Sequence, residues 1–287
     1  MTERKLSHFS LGQICRSGQC FRMGPLMPGQ PPNPASAESA EEEQPWSRYR
    51  IIAGSRYLEA EQQGENCVFY CEESEFDDFW KGYFHLDKDY GEYIRQICPE
   101  DSYLVQAAAA GYGIRILHQD LWEMIVSFLI SQQNNIVRIR RCIENLCERY
   151  GETRCTDTGV IYHAFPVPEA LAGLKEDALM ACNLGYRSKY VVRAARNVAE
   201  GIFDLSGVCS LSYEDARQEL MKLYGVGEKV ADCICLFALR HFQAFPVDTH
   251  IRQALLKHYP DGFPGRYRNI QGVLQQYIFY DTLWNGC

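Results

Sequence analysis

The sequence predicts an α+β chain, with an N-terminal domain on antiparallel sheet over residues 1–115 and an all-α domain over residues 116–287. Three observations predict it. Residues 48–71 set Tyr49, Ile51, Tyr57, Leu58, Val68 and Tyr70 among polar residues, with breaks at Gly54 and Gly64, as three short strands do. From Leu121 onwards apolar residues recur at helical spacing, with short connections and no strand signal. Residues 216–239 then read as helix, tight Gly225-Val226-Gly227 hairpin, and helix.

Taken in order, Ser17-Gly18-Gln19-Cys20-Phe21-Arg22 reads as a turn around a glycine. Residues 24–45 are rich in Pro, Gly, Ala, Ser and Glu and close on Glu41-Glu42-Glu43, the composition of a solvated, mobile insertion. Over residues 74–97, Phe76, Phe79, Trp80, Tyr83, Phe84, Tyr90, Tyr93, Ile94 and Ile97 have helical spacing and are expected in the core. Asp120 is placed to cap the run Leu121–Ile130, which is too apolar for a surface helix and therefore central. The polar run Gln132-Gln133-Asn134-Asn135 follows, then an amphipathic helix from Ile136 that carries Arg138. Leu184-Gly185-Tyr186-Arg187 opens a further helix bearing Lys189, Arg193 and Arg196.

The chain has 287 residues, enough for one large or two ordinary domains, and a net charge of −8. The acidity is uneven. Residues 1–100 hold 10 basic and 17 acidic residues, leaving 19 and 20 for the rest. That excludes a uniformly basic surface and leaves room for a short, directed nucleic-acid footprint in the C-terminal part. The 13 cysteines are scattered, without paired zinc spacing or a signal-peptide pattern, which implies reduced intracellular thiols. No stretch approaches the roughly 18 apolar residues of a membrane span.

The chemistry gathers after the hairpin. The second helix of the pair begins near Glu228, so its unpaired N–H groups and positive dipole end suit a phosphate. Lys229 stands in that first turn, where a cation meets the unfavourable end of the dipole and the neutral, nucleophilic amine is favoured. Asp248 follows Pro246-Val247 and precedes the helix-like run Thr249–Leu256. As an N-cap it stays ionised and can stabilise a developing cation. An amine and a fixed carboxylate beside a DNA-facing hairpin point to cleavage of a glycosidic bond through a covalent imine.

Leu223-Tyr224-Gly225-Val226-Gly227-Glu228-Lys229-Val230-Ala231-Asp232-Cys233 and Pro246-Val247-Asp248-Thr249-His250 resemble the helix-hairpin-helix DNA glycosylases. Within them they most resemble the 8-oxoguanine DNA glycosylase/AP lyases. The resemblance covers about Leu6 to Phe279, the insertion excepted. It implies Lys229 as nucleophile and Asp248 as electrostatic partner. The lesion pocket would be formed by Gly18, Cys233, Gln275 and Phe279. Gly18 would offer the carbonyl that accepts N7–H, which 8-oxoguanine has and guanine lacks. Chemistry on a base within a duplex requires the nucleotide to be extruded and the gap plugged. Gln133, Asn134, Asn135, Arg138, Tyr186 and Arg187 would face that gap, with the two arginines on an orphaned cytosine and Tyr186 as wedge. Gly225, Gly227 and His250 would meet phosphates. Gln133 stands where the family usually has Asn, which bears on opposite-base stringency.

Some members of the superfamily carry a four-cysteine iron–sulfur loop past the hairpin. Here Cys287 is the only cysteine after Cys235, so no metal or organic cofactor is expected. The expected partner is duplex DNA carrying 8-oxoguanine, preferably opposite cytosine, bound by a monomer acting inside the cell without a membrane. Two rival readings remain at this stage. One is a glycosylase for another damaged base, and the other is a non-catalytic helix-hairpin-helix DNA-binding protein. The second leaves the pairing of Lys229 with Asp248 unexplained.

Overall fold

The computed structural model describes residues 1–26 and 47–286. Strands β1 (Thr2–Lys5), β2 (Met23–Pro25), β3 (Ser47–Ala53), β4 (Arg56–Gln63) and β5 (Asn66–Phe69) form one antiparallel sheet in the order β1-β5-β4-β3-β2. The register sets Ile51 opposite Leu58 and Ala60 opposite Phe69. All four are buried on one face, where Phe76, Trp80 and Phe84 cover them in the smaller of two cores. The three central strands are those the alternation predicts. The outer two are only four and three residues long, too short to show a period. Gly24 and Pro25 pair with Arg50 and Tyr49, so the insertion expected from residue 24 starts later than predicted. Leu26 still donates its N–H to the Arg48 carbonyl at 2.8 Å. Positions 27–45 of that insertion lie outside the described residues.

Helix α1 (Leu11–Arg16) lies between β1 and β2 in the chain. After the sheet come α2 (Glu73–Glu75), a π-helical turn (Phe76–Trp80), α3 (Lys81–Tyr83), α4 (Gly91–Arg95) and α5 (Ser102–Ala110). The helical body comprises α6 (Leu121–Ser131), α7 (Ile136–Tyr150), α8 (Pro168–Ala172), α9 (Ser188–Ala199), α10 (Leu205–Val208), α11 (Tyr213–Leu220), α12 (Glu228–Phe237), α13 (Thr249–His258) and α14 (Gln271–Trp284). Asp120 caps α6 by accepting the Glu123 N–H at 2.8 Å. Every residue of α6 from Leu121 to Ile130 is buried, so it is the central helix that its composition predicts. The helical part is not wholly α, however. β6 (Thr153–Cys155) and β7 (Ile161–His163) form a separate antiparallel hairpin. Three-residue strands around Asp157-Thr158-Gly159 hold too little pattern to be read in advance.

That hairpin helps join the two parts. Tyr162 donates its hydroxyl to the Ser55 carbonyl at 3.0 Å, and Phe165 N–H donates to the Gly54 carbonyl at 2.9 Å. Arg22, 6% exposed, reaches the Gly54 carbonyl at 3.2 Å and the His163 carbonyl. Glu123 accepts the Gly54 N–H at 2.8 Å. Its burial pushes its carboxyl up to about 7, although the Arg22 charge pulls the other way.

The larger core fills the helical body. Tyr90, Tyr93, Ile97, Leu104, Ala107, Ile114 and Ile116 also belong to it by packing, although they precede α6 in sequence. α5 lies against α14, where a Cβ on Gly111 would meet the Tyr277 ring at 2.8 Å. The hairpin pair is set by Asp232, which accepts from the Tyr213 hydroxyl and from Arg217 Nε, each at 2.8 Å. These bonds tie α11 to α12 and thereby fix where Lys229 emerges.

Candidate active site

Leu223 to Val226 closes as a tight turn, with Val226 N–H donating to the Leu223 carbonyl at 3.0 Å. Gly225 sits at φ +94°, and a Cβ there would lie 2.6 Å from the Tyr190 ring. The position therefore demands glycine on both counts. Gly227 is the extended N-cap residue of α12, and Lys229 stands in the first turn of that helix. The Lys229 ammonium lies 5.6 Å from the Phe128 ring centroid.

One turn on, Cys233 is buried and its thiol is pushed up to about 11 by desolvation, with the neighbouring Lys229 charge opposing that rise. Its side chain lines the site. Asp248 caps α13, accepting the Ile251 N–H at 2.8 Å. The capping role that local sequence suggests is real, and the same carboxylate borders the cavity.

Lys229, Cys233, Asp248, Gly18, Gln275 and Phe279 all line one cavity that is partly open to solvent. Gly18 stands at φ +73°, and a Cβ on it would meet Phe279 at 2.9 Å. Gln275 is buried and donates through Nε2 to the Pro246 carbonyl at 3.0 Å. Its Oε1 is buried without a hydrogen-bond partner among the described residues, so a ligand with a matching donor would be rewarded there. His250 is exposed and meets the Phe279 ring edge-on at 6.0 Å.

Four lining residues escape a sequence reading: Phe128, Phe237, Pro246 and Gln276. Phe128 and Phe237 stack at 5.6 Å, and each sits in an apolar helical run that reads simply as core. Gln276 donates to the Ser17 carbonyl and so holds the turn that carries Gly18. Only its place beside Gln275 could have drawn attention to it. A second cavity, against β2, β3 and α7, is lined by Arg22, Arg50, Arg140 and Glu144 among others and contains no lysine.

The residues expected at the vacated base lie apart from the Lys229 cavity, on the α6–α7 loop, in the first turn of α7 and just before α9. Asn135 caps α7 by accepting the Arg138 N–H at 2.8 Å. Asn134 donates to the Ile130 carbonyl at 3.1 Å. Gln133 is exposed at φ +47°, and Arg138 is exposed. Tyr186 is 45% exposed, with the Arg187 guanidinium 4.5 Å above its ring. Arg187 itself departs from the expectation of an outward-reaching side chain. It is 4% exposed and donates to the Gln132 carbonyl at 2.7 Å and the Gln133 carbonyl at 2.9 Å. The helix expected from Leu184 begins at Ser188, after a 3₁₀ turn over Gly185–Arg187.

Comparison with known proteins gives the family. Residues 2–125 match the 8-oxoguanine DNA glycosylase N-terminal domain, and residues 126–262 match the HhH-GPD superfamily of base excision DNA repair proteins. The N-glycosylase/DNA lyase of Saccharomyces cerevisiae is 37% identical over 189 residues, covering 62% of this chain and 50% of that protein. The probable N-glycosylase/DNA lyase of Methanothermobacter thermautotrophicus is 33% identical over 196 residues, covering 61% of each. The chain thus spans about half to three fifths of these relatives' lengths.

The Clostridium acetobutylicum 8-oxoguanine glycosylase/lyase, solved with duplex DNA holding cytosine opposite 8-oxoG, superposes with a TM-score of 0.87 at 33% identity, covering 100% of this chain and 98% of that one. A 3-methyladenine DNA glycosylase from Archaeoglobus fulgidus, at 16% identity and a TM-score of 0.73, shares the fold alone. The chain belongs to the 8-oxoguanine DNA glycosylase family, within the HhH-GPD superfamily of base excision DNA repair proteins.

Proposed function

We propose that this chain is a bifunctional DNA glycosylase/AP lyase that removes 8-oxoguanine from duplex DNA. The observation that carries the reading is the convergence of Lys229, Asp248, Gly18, Gln275 and Phe279 on one cavity from four separate parts of the chain. Lys229 Nζ attacks the sugar C1′, the C1′–N9 bond breaks, and the base departs with its electron pair and takes up a proton. Asp248 stabilises the positive charge that develops on the sugar. The attached nitrogen sheds one proton, the C1′–O4′ bond breaks as O4′ takes up a proton, and the opened sugar is held as a protonated imine, which makes the C2′ proton acidic. Loss of that proton expels the 3′ phosphate and cuts the strand.

Lesion reading follows from donors and acceptors. The Gly18 carbonyl rewards N7–H of the oxidised base and faces a lone pair on guanine. The Gln275 amide addresses the Watson–Crick edge while Phe279 stacks, and Cys233 lies beneath. Across the gap, Gln133, Asn134, Asn135, Arg138, Tyr186 and Arg187 serve the opposite strand, with cytosine preferred. Phosphates meet the hairpin N–H groups near Gly225 and Gly227, and His250. The protein acts as a monomer on DNA inside the cell. Residues 1–115 supply Gly18 and residues 116–287 the remaining pocket residues, so the cavity is shared between the two parts.

Borohydride trapping on an 8-oxoguanine duplex tests the reading. A covalent adduct that forms with 8-oxoguanine opposite cytosine and not with an undamaged duplex is expected. Trapping on oxidised-pyrimidine duplexes alone would instead establish another lesion as substrate.

A further inference from the structure

The loop proposed to face the vacated base and the hairpin that carries Lys229 are joined through the Gln132 side chain. Gln132 Nε2 donates to the Gly225 carbonyl at 3.1 Å and to the Leu129 carbonyl at 3.3 Å. Its own backbone carbonyl accepts Arg187 Nε at 2.7 Å, and Arg187 also holds the Gln133 carbonyl at 2.9 Å. A second route runs through rings. The Tyr190 ring occupies the space over Gly225 where a Cβ would stand, and it meets Tyr186 edge-on at 5.7 Å. Arg187, at 4.5 Å above Tyr186, closes the circuit. Gly225 lies one turn of chain before Lys229, so displacement of its carbonyl shifts the start of α12.

We propose that Gln132 is a positioning residue that couples the opposite base to catalysis, an inference that rests on the DNA glycosylase/AP lyase reading above. For Arg187 to turn out towards a cytosine it must release the carbonyls of Gln132 and Gln133. That release re-seats Gln132, and the Gln132 amide carries the change to Gly225 and the catalytic hairpin. A base that does not draw Arg187 out leaves the hairpin in its resting position. The opposite base is then read in the rate of chemistry more than in affinity.

The test uses abasic sites, which need no recognition of the lesion. Single-turnover strand-cleavage rates are measured at an abasic site opposite each of the four bases. Affinities are measured for a tetrahydrofuran analogue opposite cytosine or adenine. The proteins compared are the unmutated chain, Gln132→Met, Gln132→Glu, Arg187→Lys and the Gln132→Met/Arg187→Lys double variant.

Gln132→Met should shrink the cytosine-to-adenine rate ratio at least roughly threefold, towards the low end of coupling within one hydrogen-bond network, with a smaller change in affinity ratio. The double variant should lose no more than Arg187→Lys alone. In Gln132→Glu the ratio should recover as pH falls, because a protonated carboxyl can donate to the Gly225 carbonyl and an ionised one cannot. A purely structural role would show no such recovery. Additive losses, a ratio unchanged in Gln132→Met, no acid recovery in Gln132→Glu, or equal rates opposite cytosine and adenine in the unmutated chain would overturn the coupling. Failure of the unmutated chain to release 8-oxoguanine defeats the lesion assignment and leaves this test standing.

Discussion

At the scale of single residues, the two chemical groups have separable tasks. Lys229→Gln should yield no borohydride-trapped adduct while lesion affinity stays near that of the unmutated chain, because the other lining residues are untouched. A full-yield adduct would show that another amine is the nucleophile. Asp248→Asn keeps an acceptor for the Ile251 N–H, so the α13 cap survives and only the charge goes. Base release should slow on the order of 10²-fold or more, as when a preorganised electrostatic partner is removed. The melting temperature should change little. If melting falls steeply and the rate does not, the carboxylate serves α13 alone.

At the scale of elements, the tight places are turns. Gly18 combines φ +73° with a Cβ position 2.9 Å from Phe279. Gly18→Ala should cost roughly 1–2 kcal/mol in the left-handed backbone. It should also push Phe279 into the cavity, lowering 8-oxoguanine release far more than cleavage of a preformed abasic site. Comparing those two rates checks it, and equal losses would place the damage in the fold. In the first turn of α7, Arg138 is exposed and positioned by the cap that Asn135 makes. Arg138→Ala should narrow the advantage of cytosine over adenine by about 1–3 kcal/mol, the usual worth of one bidentate base contact. Single-turnover rates opposite all four bases decide it. An unchanged advantage would remove Arg138 from base reading.

At the scale of the whole molecule, the join between sheet and helices is pH-dependent. Glu123 is buried, with its carboxyl raised to about 7, while an unfolded glutamate titrates near its ordinary value of 4.5. The native state therefore binds the extra proton between those limits. This contribution is full below about 4.5 and is lost as pH rises through about 7, by roughly 3 kcal/mol. Glu123→Gln should remove that loss and make the protein relatively more stable near neutral pH, as urea titrations from pH 5 to 8 would show. His85 works in the opposite sense. Burial lowers its imidazole to about 4, so its share of stability is lost as pH falls from about 6.5. It is the less buried of the two, so the glutamate should dominate. An unchanged slope in Glu123→Gln would mean that the carboxyl is ionised in the folded state.

Local sequence by itself determined the parts whose physics is local. The three central strands follow from alternation, α6 from its apolar run, and the caps at Asp120 and Asp248 from a short side chain reaching an N–H three residues on. The hairpin and Lys229 lie within one continuous stretch, so this part of the candidate site was legible there. Tertiary structure decided what depends on residues far apart in the chain. It brought Gly18 against Phe279, added Phe128, Phe237, Pro246 and Gln276 to the cavity, and drew Tyr90 to Ile116 into the helical core. It also turned Arg187 inwards onto the Gln132 and Gln133 carbonyls. An arginine's direction depends on which unpaired carbonyls the folded backbone brings within its reach, and no spacing along the chain encodes that.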